Sequence, residues 1–321
     1  MEIVILDGFT LNPGDLNWKA FEALGNLTVY DRTSPGEVAE RAANADMVLT
    51  NKTKVLADAI GQMKNLKYIG EVATGYDNVD IRAAAARNIP VCNVPGYSTH
   101  SVAQLTWAFI LELTYNTALR SAAVHDGAWT RSKDFCFGHE GLFELQGKTL
   151  GLVGLGQIGL AVANIALAFG MKVLAVVRDP SKYDVSNIEF TDRETCFKRS
   201  DFISLHCPLT DDTREMVNAD LIGKMKPSAY IVNTARGALI QEADLAKALR
   251  ERKIAGAAVD VLSTEPPAAD NPLLGAPNCI ITPHIAWATK EARQRLLNES
   301  AENIKAFLSG SPRNVVNGVT Q

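Results

Sequence analysis

Three side chains suited to proton transfer and anion binding, Arg236, Glu265 and His284, stand at separate points of the chain. An imidazole titrates near neutral pH and can act as a general acid or base, while a neighbouring carboxylate favours its charged form and fixes its orientation. A guanidinium offers a planar fork of donors to a carboxylate and can polarise an adjacent carbonyl group. Each residue taken alone could equally be structural, so the chemical interpretation depends on where the three lie.

The apolar runs before these residues indicate that they meet. Residues 202–206, 230–233, 257–261 and 279–282 are apolar runs typical of buried parallel strands. In an open parallel sheet, ligands bind outside the carboxyl ends of the strands. The residues that end or follow the runs are therefore predicted to share one edge: His206, Cys207 and Pro208, then Thr234, Ala235 and Arg236, then Asp260 and Glu265, and finally His284.

A second group of residues lies upstream, where Gly154, Gly156 and Gly159 follow the apolar run 149–153 with G-x-G-x-x-G spacing. The first glycine allows a tight turn, the second leaves room for a pyrophosphate and the third lets the helix pack closely on the strand. A helical pattern up to residue 170 and a second strand at 172–177 complete a strand, helix, strand unit, which places phosphates at the helix N-terminus. A glycine-rich turn alone is common, but in this setting it predicts a dinucleotide site that also contains Gln157 and Ile158.

The end of the second strand bears on which dinucleotide binds. If that strand ends at Val177, the position of a ribose-binding acid is apolar and Arg178 follows, which favours NADP(H). Asp179, twenty residues after Gly159, could instead bind the ribose of NAD(H). Because it precedes Pro180, we interpret Asp179 as a turn residue and keep NAD(H) as the alternative.

The periodicity predicts an α/β fold with two domains. Six strands between residues 149 and 282 form a doubly wound parallel sheet of the Rossmann type. Shorter runs near residues 5, 28, 48, 69 and 92 alternate with helical patterns and predict a second, smaller, flavodoxin-like domain. The final helix, 290–308, is expected to return to it. The expected boundaries are 1–98 with 289–321 for a substrate-binding domain and 99–288 for the nucleotide domain.

The helical pattern 101–119 joins the two domains, opens with a possible capping box of Ser101 and Gln104, and is apolar on nearly every side. Such a helix is expected to lie between domains, in a subunit interface, or in the core of a monomer, and the pattern does not choose among these. The polar stretch that follows, 126–143, is expected to be irregular.

The composition indicates a small-molecule partner. The net charge is −4, from 32 basic and 36 acidic residues, so neither nucleic acid nor an anionic membrane is indicated. The five cysteines stand singly, which argues against a disulfide framework and a zinc or other metal site. Residues 160–177 have the length of a membrane span, but Asn164, Gly170 and Lys172 interrupt them. With no secretory signal pattern, the expected location is the cytoplasm.

Several of these motifs occur together in one known family. The segments 73–80, 153–159, 232–237, 258–261, 264–266 and 282–284 appear in the order seen in the D-isomer-specific 2-hydroxyacid dehydrogenases, which the chain resembles over nearly its whole length. Residues 93–99 and 284–287 resemble the hydroxypyruvate reductase and glycerate dehydrogenase branch of that family.

The resemblance implies specific roles. Arg236 would bind a 2-oxo acid, His284 would be the acid/base, Glu265 would be its partner, and Asp260 would contact the nicotinamide amide. The backbone of Thr74 and Gly75 would bind the substrate carboxylate. The implied reaction is reversible reduction of hydroxypyruvate or glyoxylate, and the implied assembly is a homodimer built around the helix at 101–119.

Three other functions are weighed against this one. The chain could be a dehydrogenase for another 2-oxo acid, or a nucleotide-sensing corepressor, since the C-terminal-binding-protein corepressors resemble the same family and retain the three residues. Formate oxidation is disfavoured because a formate site in this family carries glutamine where Glu265 stands.

Overall fold

Two parallel β-sheets organise residues 1–319, the part of the chain that the computed structural model describes. Residues Met1–Ser98, together with the segment from Trp287 onward, form one compact unit, and Thr99–Ala286 form the other. Each unit has its own sheet, helices and apolar core.

The strands, in chain order, are β1 (Glu2–Ile5), β2 (Asn26–Val29), β3 (Met47–Thr50), β4 (Tyr68–Glu71), β5 (Val91–Cys92), β6 (Thr149–Val153), β7 (Lys172–Val176), β8 (Ile188–Phe190), β9 (Phe202–Leu205), β10 (Tyr230–Asn233), β11 (Gly256–Val259) and β12 (Cys279–Ile281). The α-helices are α1 (Gly8–Leu11), α2 (Lys19–Glu22), α3 (Val38–Arg41), α4 (Ala57–Gln62), α5 (Ile81–Ala86), α6 (Thr99–Tyr115), α7 (Thr117–His125), α8 (Gln157–Ala168), α9 (Arg193–Arg199), α10 (Ala219–Ile222), α11 (Glu242–Arg250) and α12 (Lys290–Leu308). Short 3-10 helices cover Pro35–Glu37, Pro180–Lys182 and Gly237–Leu239.

The first unit contains a five-stranded sheet in the order β2-β1-β3-β4-β5, with every pair parallel. This is the flavodoxin-like order, as the sequence predicts. Helix α12, whose predicted bounds are confirmed, covers one face of the sheet, and the Tyr68 and Phe307 rings pack with centroids 5.0 Å apart. Fully burying a side chain of this kind stabilises the fold by about 1.5–3 kcal/mol.

The second unit contains a seven-stranded parallel sheet in the order β12-β11-β10-β9-β6-β7-β8. The order reverses beside β6, which creates the switch point where a doubly wound sheet binds ligands. The prediction of six strands was short by one, because β8 has only three residues and too little apolar sequence to be recognised. The predicted doubly wound fold itself is confirmed.

Helix α6 begins and ends earlier than the sequence predicts. The predicted capping box was wrong: the helix starts at Thr99, and Ser101 lies buried within it, donating its hydroxyl to the Ala286 carbonyl oxygen. Asn116, with φ of 47°, breaks the helix, and α7 starts after it. Most apolar residues of α6 pack in the core of the second unit, where Trp107 stacks on Phe169 at 4.9 Å.

The stretch 160–177 consists of helix α8 followed by strand β7, as expected. Across residues 1–319, no helix combines the length and the hydrophobicity that crossing a bilayer requires.

Candidate active site

The turn after β6 requires glycine at two of its positions. Gly154 has φ of 97°, and a Cβ there would lie 2.6 Å from the carbonyl oxygen of His206. A Cβ on Gly159 would overlap the Gly154 carbonyl oxygen. These two glycines therefore let the turn, the start of α8 and the end of β9 come into close contact, and they are needed for the fold itself.

Gly156, unlike Gly154 and Gly159, faces open space. It is the exposed N-cap residue of α8, and a Cβ there would meet no protein atom within 4 Å. The first N–H groups of a helix have no intrahelical acceptor, so this open space faces donors suited to a phosphate. Gln157 accepts a hydrogen bond from the Thr99 hydroxyl at 3.2 Å, and Ile158 packs on the core. The turn thus fits the pyrophosphate of a dinucleotide.

The residues after β7 include a cation and a carboxylate, Arg178 and Asp179, in different surroundings. Arg178 is exposed, whereas Asp179 accepts hydrogen bonds from the Ser181 backbone N–H at 3.1 Å and hydroxyl at 2.6 Å. Asp179 is therefore a turn residue, as its position before Pro180 predicts. Arg193, at the start of α9, was not predicted to lie in this site, because the strand before it, β8, was not predicted.

Both arginines lie near the thiol of Cys207. Burial raises the pKa of Cys207, and the positive charges of Arg193 and Arg178 act in the opposite direction. Arg178 lies two residues after β7, and the charges of both arginines act on Cys207, two residues after β9.

The residues after β9 form a neutral wall beside the glycine turn. His206 shares a 2.8 Å hydrogen bond between its Nε2 and the Ser204 hydroxyl, a partner that the sequence did not reveal. Burial lowers the pKa of His206 to about 4, so the ring is uncharged at neutral pH. The Pro208 carbonyl oxygen accepts a hydrogen bond from Thr213. This wall can contact a cofactor but is unsuited to acid catalysis at neutral pH.

The turn after β10 is shaped by a buried amide. Asn233 accepts a hydrogen bond from the Ala235 N–H at 3.0 Å and donates its side-chain N–H to the Arg236 carbonyl oxygen at 2.9 Å. Thr234 is buried, and its hydroxyl lies 3.0 Å from that of Thr106 on α6. The half-buried Arg236 donates from Nη1 to the Ala235 carbonyl oxygen at 2.8 Å, which orients its guanidinium.

Glu265 and His284 form a close pair. Nδ1 of His284 lies 2.5 Å from Oε2 of Glu265, and Oε1 accepts a hydrogen bond from the Leu262 N–H at 3.0 Å. The side chains keep 24% and 36% exposure for the histidine and glutamate respectively, so solvent or a ligand can reach them. This carboxylate holds one ring nitrogen and leaves Nε2 as the nitrogen for proton exchange with a ligand.

Asp260 holds the loop that carries His284. Its Oδ1 accepts from the Thr282 hydroxyl at 2.5 Å and the Ile285 N–H at 2.9 Å, while Oδ2 accepts from the Ala286 N–H at 2.8 Å. The His284 N–H donates to the Asp260 carbonyl oxygen at 2.8 Å. Since His284 has φ of 54°, an uncommon conformation for this residue type, these bonds fix a backbone that would otherwise be unfavourable.

Strand order brings these residues to one edge of the second sheet. β10, β11 and β12 are neighbours and parallel, so the residues after them, including Arg236, Asp260 and His284, follow adjacent strand ends. A Cβ on Gly237 would overlap the Leu262 backbone, so the turn carrying Arg236 packs against the segment that leads to Glu265.

Thr74 and Gly75 belong to the first unit, in an exposed loop after β4. The Thr74 hydroxyl donates to the Val94 carbonyl oxygen at 2.9 Å, and the Asn93 side chain donates to the Thr74 carbonyl oxygen at 2.7 Å. The loop is therefore tied to the end of β5, and its role in binding a carboxylate stays a prediction.

Known proteins are similar to this chain over nearly its whole length. The sequence model of the D-isomer specific 2-hydroxyacid dehydrogenase NAD binding domain matches residues 107–286. A hydroxypyruvate reductase of Blautia hydrogenotrophica is 47% identical, with 99% of this chain and 100% of that protein covered. A glycerate dehydrogenase of Methylorubrum extorquens is 39% identical, with 98% of each covered.

Solved structures agree. An NADPH-dependent glyoxylate/hydroxypyruvate reductase of Sinorhizobium meliloti, in complex with NADP and malonate, has a TM-score of 0.84 at 27% identity and covers 99% of this chain and 97% of that chain. An acyclic imino acid reductase in complex with NADPH and D-Arg has a TM-score of 0.86 at 32% identity and covers 98% and 100%. With a family match over more than half of its length and such similar full-length relatives, the chain belongs to the D-isomer-specific 2-hydroxyacid dehydrogenase family.

Proposed function

We propose that this oxidoreductase catalyses the NAD(P)-dependent reduction of hydroxypyruvate, or glyoxylate, to the corresponding 2-hydroxy acid. The observation that carries the proposal is the Glu265–His284 pair, which follows strand ends of the same parallel sheet as the glycine turn 154–159. The substrate is inferred from the hydroxypyruvate reductase and glycerate dehydrogenase relatives.

His284 is the proposed acid/base. The nicotinamide, when bound, supplies or accepts the hydride. Because Nδ1 is engaged by Glu265, Nε2 of His284 would donate the proton to the carbonyl oxygen during reduction and accept it back during oxidation. Glu265 would hold the ring in orientation and stabilise the imidazolium.

Arg236 is the proposed anchor for the substrate. Its guanidinium would bind the carboxylate of the 2-oxo acid and polarise the adjacent carbonyl group. The contact from Nη1 to the Ala235 carbonyl oxygen limits the orientations that the side chain can adopt. On the first unit, the backbone of Thr74 and Gly75 remains the proposed partner of the substrate carboxylate.

The proposed cofactor site runs along the same sheet edge. Gly154, Gly156, Gln157, Ile158 and Gly159 would hold the pyrophosphate. The remaining proposed contacts come from the neighbouring strand ends, namely His206, Cys207, Pro208, Thr234, Ala235 and Asp260.

NADP(H) is the favoured form of the cofactor, and NAD(H) is the alternative. Arg178, assisted by Arg193, would bind the 2′-phosphate, since both cations lie near Cys207 while Asp179 is committed to its turn. The two hydrogen bonds from Ser181 to Oδ1 of Asp179 make this carboxylate less suited to a free ribose 2′-hydroxyl.

We also propose a homodimer. The apolar surface of α6 is largely covered within its own unit, but large apolar side chains stay exposed in α7 and the irregular segment after it. Leu119 is 71% exposed, Trp129 52% and Phe135 89%. Large exposed apolar side chains favour association, so we place the contact of a second copy on α7 and the segment after it rather than on α6. Sedimentation equilibrium would test it, and a monomer at micromolar concentration would contradict it.

One experiment tests the proposed reaction. Initial rates would be measured with NADH and NADPH on hydroxypyruvate, glyoxylate, pyruvate and phenylpyruvate. We expect the highest kcat/KM with hydroxypyruvate or glyoxylate, and with NADPH. A preference for one of the other two acids would reassign the substrate, and cofactor binding without turnover on any of them would favour the sensor function.

A further inference from the structure

Glu265 lies in a segment with little regular structure, yet it must stay at hydrogen-bond distance from His284. The chain between β11 and β12 has no helix or strand, and residues 263–270 are exposed. An exposed loop without an anchor moves on a fast timescale. Something outside the loop must therefore fix its course.

Glu242, the first residue of α11, provides such an anchor. Its Oε1 accepts a hydrogen bond from the Ser263 backbone N–H at 2.6 Å, and its Oε2 accepts one from the Asn271 side chain at 2.8 Å. The two contacts enclose Glu265 between them in sequence. One carboxylate thus holds both ends of the loop that carries the proposed partner of His284.

The peptide geometry links Glu242 to Glu265 directly. Consecutive backbone N–H groups serve the two carboxylates, since Leu262 donates to Glu265 and Ser263 donates to Glu242. A Cβ on Gly237 would overlap the same backbone, so the segment is confined between the Arg236 turn and α11. Without an acceptor for the Ser263 N–H, the backbone of residues 262 and 263 is held less firmly, and the Leu262 N–H that donates to Glu265 can shift with it.

The charge of Glu242 suits this position. It lies in the first turn of α11, where the helix dipole favours a negative side chain. An ionised carboxylate accepts at both oxygens, and such bonds are stronger than those between neutral groups. A glutamine has one acceptor oxygen and would present an N–H₂ group to one of the two donors.

We propose that Glu242 is a positioning residue that holds Glu265 against His284 and so fixes the ring in the form with its proton on Nδ1. Its catalytic consequence rests on the proposed function, whereas its effect on the ring does not.

The test compares Glu242→Gln with Glu291→Gln, which removes an exposed first-turn glutamate from α12. ¹⁵N NMR of the imidazole rings at alkaline pH reports which nitrogen carries the proton, and His284→Gln identifies the signals. We expect Glu242→Gln to raise the Nε2–H population of His284 as Glu265→Gln does. We expect Glu291→Gln to match the wild type.

Steady-state kinetics with hydroxypyruvate and NADPH test the catalytic consequence of the Glu242 contact. We expect Glu242→Gln to lower kcat about tenfold with little change in KM, since misplacement of a proton-transfer group by a fraction of an ångström has effects of this order or larger. In the background of Glu265→Gln, the same change should have little further effect, because the two residues act through one contact.

The proposal is overturned if His284 keeps its wild-type tautomer in Glu242→Gln. If Glu242→Gln does not fold, the same measurement is made on Asn271→Leu, which removes the hydrogen bond from Asn271 to Glu242. A wild-type tautomer of His284 in that variant would likewise overturn the proposal. Absence of turnover in the wild type would remove the proposed function, but the tautomer measurement would still decide the role of Glu242.

Discussion

Nδ1 of His284 lies 2.5 Å from Oε2 of Glu265, and the two residues come from different loops of the second sheet's carboxyl edge. The contact decides which ring nitrogen can serve a substrate. Because the carboxylate takes Nδ1, the proposed proton exchange with a 2-oxo acid would proceed through Nε2. The orientation of the ring therefore depends on the loop that carries Glu265.

The first prediction concerns His284 itself. His284→Ala should lower kcat for hydroxypyruvate reduction by roughly 10²–10⁴-fold, the range that a positioned acid/base contributes. NADPH binding, followed by fluorescence titration, should be retained, because the glycine turn lies after another strand. The exposed His139 is the matched control, and His139→Ala should behave as the wild type. Wild-type turnover in His284→Ala would remove the residue from the mechanism.

The glycine turn allows a paired prediction. Gly154→Ala places a Cβ 2.6 Å from the His206 carbonyl oxygen on a backbone with positive φ, so it should lower the thermal midpoint by several degrees. Gly156→Ala meets no protein atom, so it should leave the midpoint unchanged and raise the KM for the cofactor. Calorimetry and initial rates measure the two effects. Equal loss of stability in both variants would contradict the assignment of Gly156 to ligand contact.

Asp260 is predicted to act on the His284 loop. Asp260→Asn turns an N–H₂ group toward donors, since its carboxylate accepts from Thr282 and from the Ile285 and Ala286 backbones. An unsatisfied buried group of this kind costs about 1–3 kcal/mol. We expect a lower free energy of unfolding and a lower kcat together, measured by urea titration and steady-state rates. A variant that changed only the cofactor KM would instead support a role confined to the nicotinamide.

The strands were predictable because parallel strands covered on both faces are continuous apolar runs, and β6 and β10 match their predicted bounds. Helices α1 and α4, with four and six residues, were not among the helical patterns predicted from the sequence. The break at Asn116 was missed although Tyr115, Asn116 and Thr117 are weak helix formers, because the apolar pattern continues on both sides of it. No pattern in the sequence links Glu242 to Ser263, since that contact depends on the path of an irregular loop.

The glycine spacing and strand ends likewise predicted the proposed site residues, but not their hydrogen-bond partners. The hydrogen bond between Ser204 and His206 and the approach of Arg193 to Cys207 require the strand order. The sequence predicted the class of each sheet, but not which individual side chains meet across neighbouring strand ends.

Cofactor preference is predicted to depend on Arg178. Arg178→Ala should reduce the ratio of kcat/KM for NADPH to that for NADH by roughly 10–100-fold, as the loss of one charged hydrogen bond implies. Lys172→Ala removes an exposed cation from the opposite end of the same strand and should leave the ratio unchanged. Initial rates with both cofactors make the measurement. If Arg178→Ala leaves the NADPH-to-NADH ratio of kcat/KM unchanged, NAD(H) becomes the favoured cofactor.

The last prediction concerns Glu71 at the end of β4. Both carboxyl oxygens are buried, and burial, the largest cause, raises the pKa of Glu71 to about 9. The charge of Lys52 and a contact with the Asn78 side chain oppose this shift, and the charge of Asp7 adds to it. The folded protein therefore keeps a proton on Glu71 that the unfolded chain releases above its ordinary pKa.

The direction in which stability changes with pH follows from the number of protons that the folded and unfolded states bind. Between pH of about 4.5 and about 9 the unfolded chain binds fewer protons than the folded one, so this group lowers stability as pH rises. Glu71→Gln removes the titration, so its stability relative to the wild type should rise between pH 5 and pH 8 by at most roughly 4 kcal/mol. Urea titrations at both pH values measure the difference, with Glu40→Gln, an exposed change on α3, as the control. A difference between Glu71→Gln and the wild type that does not vary with pH would show that Glu71 ionises normally in the folded protein.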